Sequence, residues 1–301
     1  MISITQMVTL ATQNFIGSQT LERVPEPDLV MTAKENVDQF DEIINSNIAI
    51  SFCGALELLF EIGALPRAGK ILDLACGPGH FSLFLAKYGG AGKVIGVDLS
   101  EPMLEKARQN AEKMGLSHRV EFVLGDITNL SQFHDHEFDL ITCTNSAHHL
   151  PTIEALQEML QEMGRLMNEH GTAFVMDLTR LRTFDCVQKY VQLMGHEYLS
   201  HGLEKLYEDF RNSMYAAWTP AELRSAVPLT PTHQWRHFAM VPLPVNQFLF
   251  ATPRSWQMNK SNKPFPWPDL RPPVREDLQV DYTRYRQAIL ASYRWFQQSL
   301  N

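Results

Sequence analysis

The 301-residue sequence has few cysteines, no long apolar run and no excess of basic charge, and each shortage removes a class of function. Cys53, Cys76, Cys143 and Cys186 stand far apart and form no CxxC pair. That excludes a disulfide framework and a cysteine zinc site, and it predicts a reducing, cytoplasmic setting. No stretch approaches the roughly 20 apolar residues of a membrane span, so no membrane partner is expected. The opening MISITQMVTLATQNF has no basic n-region and is not read as a signal peptide. The net charge is −8 and lacks the basic footprint that sequence-independent nucleic-acid binding requires, so no nucleic-acid partner is expected. What is there is ordinary globular composition, 45% hydrophobic and 20% charged, in a chain long enough for one α/β domain with additions.

Hydrophobic spacing predicts an irregular segment over 1–35 and helical structure from Val37 to Phe60. Strands and helices then alternate. KILDLA, KVIGVDLS, VEFVLGD, FDLITCT and TAFVMDL are short apolar strands; HFSLFLAKYG, PMLEKARQNAEKMG and TIEALQEMLQEMGRLM are amphipathic helices. HQWRHFAMVP and VNQFLFAT follow as two final strands, read as a hairpin. This alternation predicts an α/β, doubly wound, mostly parallel seven-stranded sheet, in which ligands bind beyond the carboxyl ends of the strands. Three parts are expected: a helical cap over 1–64, a core over 65–252 with a helical lid at 180–218, and a proline-rich arm with a terminal helix over 253–301.

The stretch ILDLACGPGHF, Ile71 to Phe81, runs from the first strand through a small-residue loop into a helix. Gly77 and Gly79 let backbone N–H groups approach a ligand at a helix N-terminus. A dinucleotide fingerprint needs a third glycine where Ser82 stands. Asp73, at the mouth of the loop, would repel a pyrophosphate and suits an ammonium or a sulfonium. Asp98 ends the second strand, about 25 residues further on, where a carboxylate accepts both hydroxyls of a ribose. Asp126 ends the third strand and can accept from an exocyclic amine. Ile127 can pack on one purine face, and Leu99 with Met103 on the other. Three carboxylates at consecutive strand ends describe a nucleoside with a cationic, amino-acid-like tail.

In order and spacing, DLACGPGHF, VDLSEPML, GDITNL and FDLITCTNSAHHL resemble the cofactor motifs of class I S-adenosylmethionine-dependent methyltransferases. The resemblance covers roughly residues 65–180 and departs from the usual pattern at Ala75, where glycine is common. More loosely, RVPEPDLVMTAKENVDQFDE, DLTRLRT, FRNSMYAAWTPAEL and HQWRHF resemble flanking segments of an uncharacterised bacterial subgroup with the same core. It implies S-adenosylmethionine as cofactor and S-adenosylhomocysteine as product. Asp73, Ala75, Gly77 and Gly79 would then line the methionine and ribose side, and Asn145 the sulfonium end. Phe40 and Asp41 would close over the cofactor.

Methyl transfer is an in-line displacement for which the cofactor carries the activation. The fourth strand ends in TNSAHH, where the acceptor meets the methyl group. His148 or His149 is a candidate base; the resemblance equally allows a histidine pair that only shapes the loop. No Asp or Glu ends that strand, so the magnesium site of catechol-type enzymes is not evident and a metal-independent reaction is expected. The Asn/Asp-Pro-Pro-aromatic and Pro-Cys motifs of DNA-modifying relatives are absent too. The expected acceptor is therefore a small metabolite or natural product. A peptide or protein acceptor, and a regulatory protein that binds the cofactor without transfer, are the alternatives. In the lid, Tyr190, Tyr198, Tyr207, Phe210, Tyr215 and Trp218 are candidates for an aromatic wall. Arg180, Arg182 and Arg211 are candidates to hold an anionic acceptor, or form a solvated face. Tyr282, Tyr285, Ile289 and Phe296 form a stripe expected to dock on its own domain, with a homodimer contact through the arm or a clamp over the site as the alternatives.

Overall fold

The computed structural model describes residues 4–17, 20–27, 34–43, 49–256, 265–267 and 273–300. Seven strands form one sheet: β1 (Lys70–Leu74), β2 (Lys93–Asp98), β3 (Val120–Leu124), β4 (Phe138–Thr144), β5 (Met167–Leu178), β6 (His233–Ala239) and β7 (Asn246–Pro253). Their order is β3-β2-β1-β4-β5-β7-β6. The first five run parallel, and β7 pairs antiparallel with both β5 and β6. Helices α4 (His80–Tyr88), α5 (Glu101–Lys113) and α6 (Ile153–Leu166) link the parallel strands. Strand order reverses between β1 and β4, which opens a crevice at their carboxyl ends.

Local chemistry sets the helix ends that face this crevice. Ser100 caps α5 by accepting the Met103 N–H, and Pro102 pre-sets the first turn. Thr152 does the same for α6 through Ala155 N–H. Gly89 stops α4. β5 begins at Met167, in the residues expected to end the preceding helix; Met167 pairs with Phe138 across a register shift instead.

Additions surround the core. The lid comprises α7 (Phe184–Ser200), α8 (Glu204–Ala216) and α9 (Pro220–Ser225). The N-terminal segment, expected to be irregular, contains a helix, α1 (Ile4–Ile16). Its polar residues hide a short stripe of Met7, Leu10 and Ala11, which packs on Leu181, Cys186, Val187 and Val191 near and within α7. The helical region expected from Val37 to Phe60 is two helices, α2 (Lys34–Ile43) and α3 (Ala49–Ile62). Ile44, Asp28 and most of the proline-rich arm, with Pro264, Pro268 and Pro272, lie outside the described residues.

The terminal helix α10 (Gln279–Ser299) lies on α3 and the β6 edge. Gly54 makes the approach possible, since a Cβ there would fall 2.9 Å from both Ile289 and Tyr285. Beneath it, the buried Glu57 carboxylate accepts from Trp267 Nε1 at 2.8 Å, from the Tyr282 hydroxyl and from Arg286. Tyr293 is fully buried among Phe238, Phe250 and the helix. The aromatic stripe therefore packs on its own chain.

Candidate active site

A cavity of about 840 Å³ opens at the carboxyl ends of β1, β2 and β4 and extends beneath the lid. That is near the upper end of ligand-sized pockets, with room for a nucleoside cofactor and an acceptor side by side. Its walls include Phe40, Asp73, Ala75, Gly77, Asp98, Leu99, Met103, Asp126, Ile127, Asn145, His148 and His149.

The loop after β1 is shaped by left-handed residues. Ala75 has φ 50°, Gly77 φ 52° and Gly79 φ 81°. The glycines serve different purposes. A Cβ on Gly77 would meet nothing within 4 Å, so that backbone faces open cavity. A Cβ on Gly79 would fall 2.6 Å from the Phe122 ring and 2.9 Å from Ala107. Gly79 does not line the cavity, contrary to the expectation from the motif; it lets α4 close onto the sheet.

The three strand-end carboxylates also differ. Asp73 is only 1% exposed, and its oxygens accept from Ser82 Oγ at 2.6 Å and Thr142 Oγ1 at 2.7 Å. Burial pushes its pKa up to about 6, against the pull of those hydroxyls. It is thus a buried tie between β1, α4 and β4, not a free charge at the loop mouth. Asp98 accepts the Gly77 N–H at 2.8 Å and the Ser100 N–H at 2.9 Å, and burial raises its pKa as well. Asp126 is exposed and accepts from the backbone and hydroxyl of Thr128.

On the α2 side, Asp41 Oδ1 meets His80 Nε2 and Asn110 Nδ2, each at 2.7 Å, and Asn110 also donates to Pro78 O at 3.0 Å. Burial would raise the Asp41 pKa, but these partners hold it below the ordinary range. This latch sets Phe40 against the loop. Asn145, with φ 53°, donates its side-chain amide to Ser51 at 3.3 Å, and its backbone N–H to Met176 O at 2.7 Å.

His148 and His149 sit on a single 3₁₀ turn, Ala147–His149, beyond β4. His148 Nδ1 meets Asp177 Oδ1 at 2.6 Å, and its Nε2 lies 3.9 Å from Glu26 Oε1. Burial alone would lower the His148 pKa; Asp177 and Glu26 outweigh it and raise it. His149 Nδ1 hydrogen-bonds Glu26 Oε2, while Ser213 Oγ donates to Glu26 Oε1 at 2.6 Å. Burial opposes ionisation of Glu26, yet these bonds and the two imidazoles hold its pKa down at about 2.

Arg23 holds the turn from behind. Its guanidinium donates to the carbonyls of His148, Leu150, Pro151 and Ala216 at 2.6–2.9 Å and stacks 3.6 Å above the Trp218 ring. Trp218 Nε1 in turn donates to Ala147 O at 2.9 Å.

The residues assigned to an anionic acceptor are elsewhere. Arg180 is buried and bonded to Leu21 O, Ala217 O and Glu222. Arg182 binds the carbonyl of Phe15. Arg211 and Tyr215 border a separate shallow cleft with Val24, Pro25 and Phe184. Of the expected aromatic wall, Tyr190, Tyr198 and Phe210 line the cavity, with Leu193, Leu243 and Tyr285, while Tyr207, Tyr215 and Trp218 do not. No sequence motif marks Arg23 or Glu26, which lie in a turn-like segment, and Asp177 is marked only by its place in its strand. Asp177 is the penultimate residue of β5, close to a strand end as Asp98 is in β2.

Residues 71–171 match the family model described as a methyltransferase domain. A demethylmenaquinone methyltransferase of Bacteroides fragilis is 33% identical over 124 residues, which are 41% of this chain and 49% of that protein. The chain thus spans about half the length of the curated relatives it matches. Among solved structures, the PH0226 protein of Pyrococcus horikoshii aligns with TM-score 0.51 and 24% identity over 70% of this chain and 93% of its own. A SAM-dependent methyltransferase of Aquifex aeolicus aligns with TM-score 0.50 and 15% identity over 73% and 98%. At these identities the two structures speak for the fold.

Proposed function

We propose that this chain, whose residues 71–171 match a methyltransferase domain, is a class I S-adenosylmethionine-dependent methyltransferase that methylates a small, largely apolar acceptor beneath the lid. The carrying observation is one cavity with two unlike halves: a carboxylate-rimmed half at the β1–β2–β3 ends and a half under α7 and α8 walled by Tyr190, Leu193, Met194, Tyr198, Leu206 and Phe210, with His196, Lys205 and Asp209 among its charged or polar members.

The first half fits the cofactor. Gly77 leaves open space beside its backbone, and Asp98 and Asp126 stand at adjacent strand ends. In this reading Asp98 receives the ribose hydroxyls, Asp126 the adenine amine, and Ile127, Leu99 and Met103 the faces of the base. Ala75 and Gly77 border the methionine portion, Asn145 the sulfonium end, and Phe40 covers it. Bound there, S-adenosylmethionine supplies the activated methyl group.

The chain's own residues then orient the acceptor and keep water out. The apolar wall aligns its body. His148 and His149, set by Asp177 and Glu26, form the polar end and receive a proton where the nucleophile carries one. Arg23 fixes the turn that presents both rings.

The test is transfer from labelled S-adenosylmethionine to panels of apolar phenols and amines, compact polar acids, and peptides. Labelling confined to the first panel supports the proposal. Labelling confined to peptides would replace the closed chamber with an open groove.

A further inference from the structure

We propose that Glu26, His148 and His149 form a binding site for one divalent transition-metal ion, of zinc or cobalt type, at the polar end of the cavity. Their ligand atoms, one carboxylate oxygen and two imidazole nitrogens, all lie within 4.8 Å of one another. All three residues line the cavity, so an ion there reaches both solvent and acceptor. Two imidazoles and one carboxylate suit zinc, cobalt, nickel or iron better than magnesium or calcium, which favour all-oxygen sites.

The surroundings have the form that metal-ligating histidines need. The His148 Nδ1 is taken by Asp177 at 2.6 Å, and its Nε2 lies 3.9 Å from Glu26 Oε1. Such a carboxylate behind a ligating imidazole fixes both tautomer and ring orientation. The second Asp177 oxygen is buried with no hydrogen-bond partner. Ser213 fixes the carboxylate of Glu26 at 2.6 Å. The nearby cations are already engaged: Arg23, which feels the charges of Glu26 and Asp177, is held by four carbonyls, Arg180 pairs with Glu222 at 2.7 Å, and Lys205 pairs with Asp209 at 3.2 Å. Sequence spacing does not reveal the set, because Glu26 joins the histidines from more than 120 positions away.

An ion held here would take the imidazole lone pairs that otherwise receive the acceptor's proton, and would instead favour loss of that proton from an acceptor oxygen or nitrogen bound to it from the cavity. Its part in acceptor activation rests on the methyltransferase reading; the binding site does not.

The test uses the full chain, free of any histidine tag and stripped with a chelator. Visible absorption is followed on titration with Co(II), and Zn(II) affinity is measured against a competing chelator. S-adenosylhomocysteine binding is measured on the same samples. One ion per chain is expected, with affinity lowered at least about tenfold in both Glu26→Gln and His149→Ala. Asp177→Asn should lower it about 10- to 100-fold, the range for loss of a supporting partner. His149 is half exposed, so its variant keeps the test valid if Glu26→Gln fails to fold. No bound ion, or binding undiminished in these variants, overturns the site and leaves the cluster as an ion-paired support for the turn. Metal binding without S-adenosylhomocysteine binding would sink the cofactor assignment and spare the site.

Discussion

The Asp98 carboxylate accepts the backbone N–H of Gly77 at 2.8 Å, so the end of β2 holds the loop that follows β1. With Ser100 N–H on its other oxygen, Asp98 shapes the loop as well as bordering the cavity. Asp98→Ala removes both acceptors and the proposed ribose partner. It should weaken S-adenosylhomocysteine binding by at least about tenfold, since a lost charged hydrogen bond is worth about 1.5–3 kcal/mol. Calorimetry checks this, and unchanged affinity would contradict the ribose placement.

Asp73 gives a pH signature. Its folded pKa of about 6 lies above the ordinary carboxylate value, so the folded state binds its proton more tightly than the unfolded one. The stability it contributes is full below about pH 4 and is lost as pH rises through 6. An uncharged amide at this position removes that loss. The Asp73→Asn variant should therefore gain stability relative to the parent between pH 4 and 7, by at most about 3 kcal/mol. Urea midpoints across that range measure it; a difference independent of pH would show that Asp73 is charged throughout.

The two loop glycines should separate binding from folding. Gly77→Ala meets only the strain of φ 52°, at a cost of about 1 kcal/mol, and puts a methyl group into the cavity. It should fold and lose S-adenosylhomocysteine affinity. Gly79→Ala must also displace Phe122 and Ala107, and should lower Tm far more. Thermal melts and titration of the two variants, side by side, distinguish these outcomes.

Arg23→Lys should not rescue Arg23→Ala. A lysine has one nitrogen for the four carbonyls and cannot stack as a plane on Trp218. Both variants should lose about 2–4 kcal/mol of stability and loosen the 147–149 turn, read as faster amide exchange there. Protection equal to the parent in the lysine variant would show that charge alone suffices.

Much of the fold was legible because parallel strands buried on both faces read as short apolar runs between amphipathic helices. The helix α1 was not, because its few apolar positions gain meaning only against α7. The carboxylates at the ends of β1, β2 and β3 were legible as a set, since topology brings consecutive strand ends together. Their individual chemistry was not: Asp73 is engaged by Ser82 and Thr142, a fact of packing and not of spacing. Arginines in an amphipathic segment look alike in sequence, yet Arg180 is buried among carbonyls while Arg211 sits at another cleft. Glu26 illustrates the same limit from the other side. It reaches the histidine pair only because the N-terminal segment folds back over β4.

The central claim is that the carboxylate-rimmed half of the cavity takes S-adenosylmethionine. Calorimetric titration of the purified chain with S-adenosylhomocysteine, with NAD as the control ligand, tests it most directly. The expected result is micromolar, one-to-one binding of the sulfur nucleoside and none of NAD. No binding of S-adenosylhomocysteine, or binding of NAD alone, would contradict it.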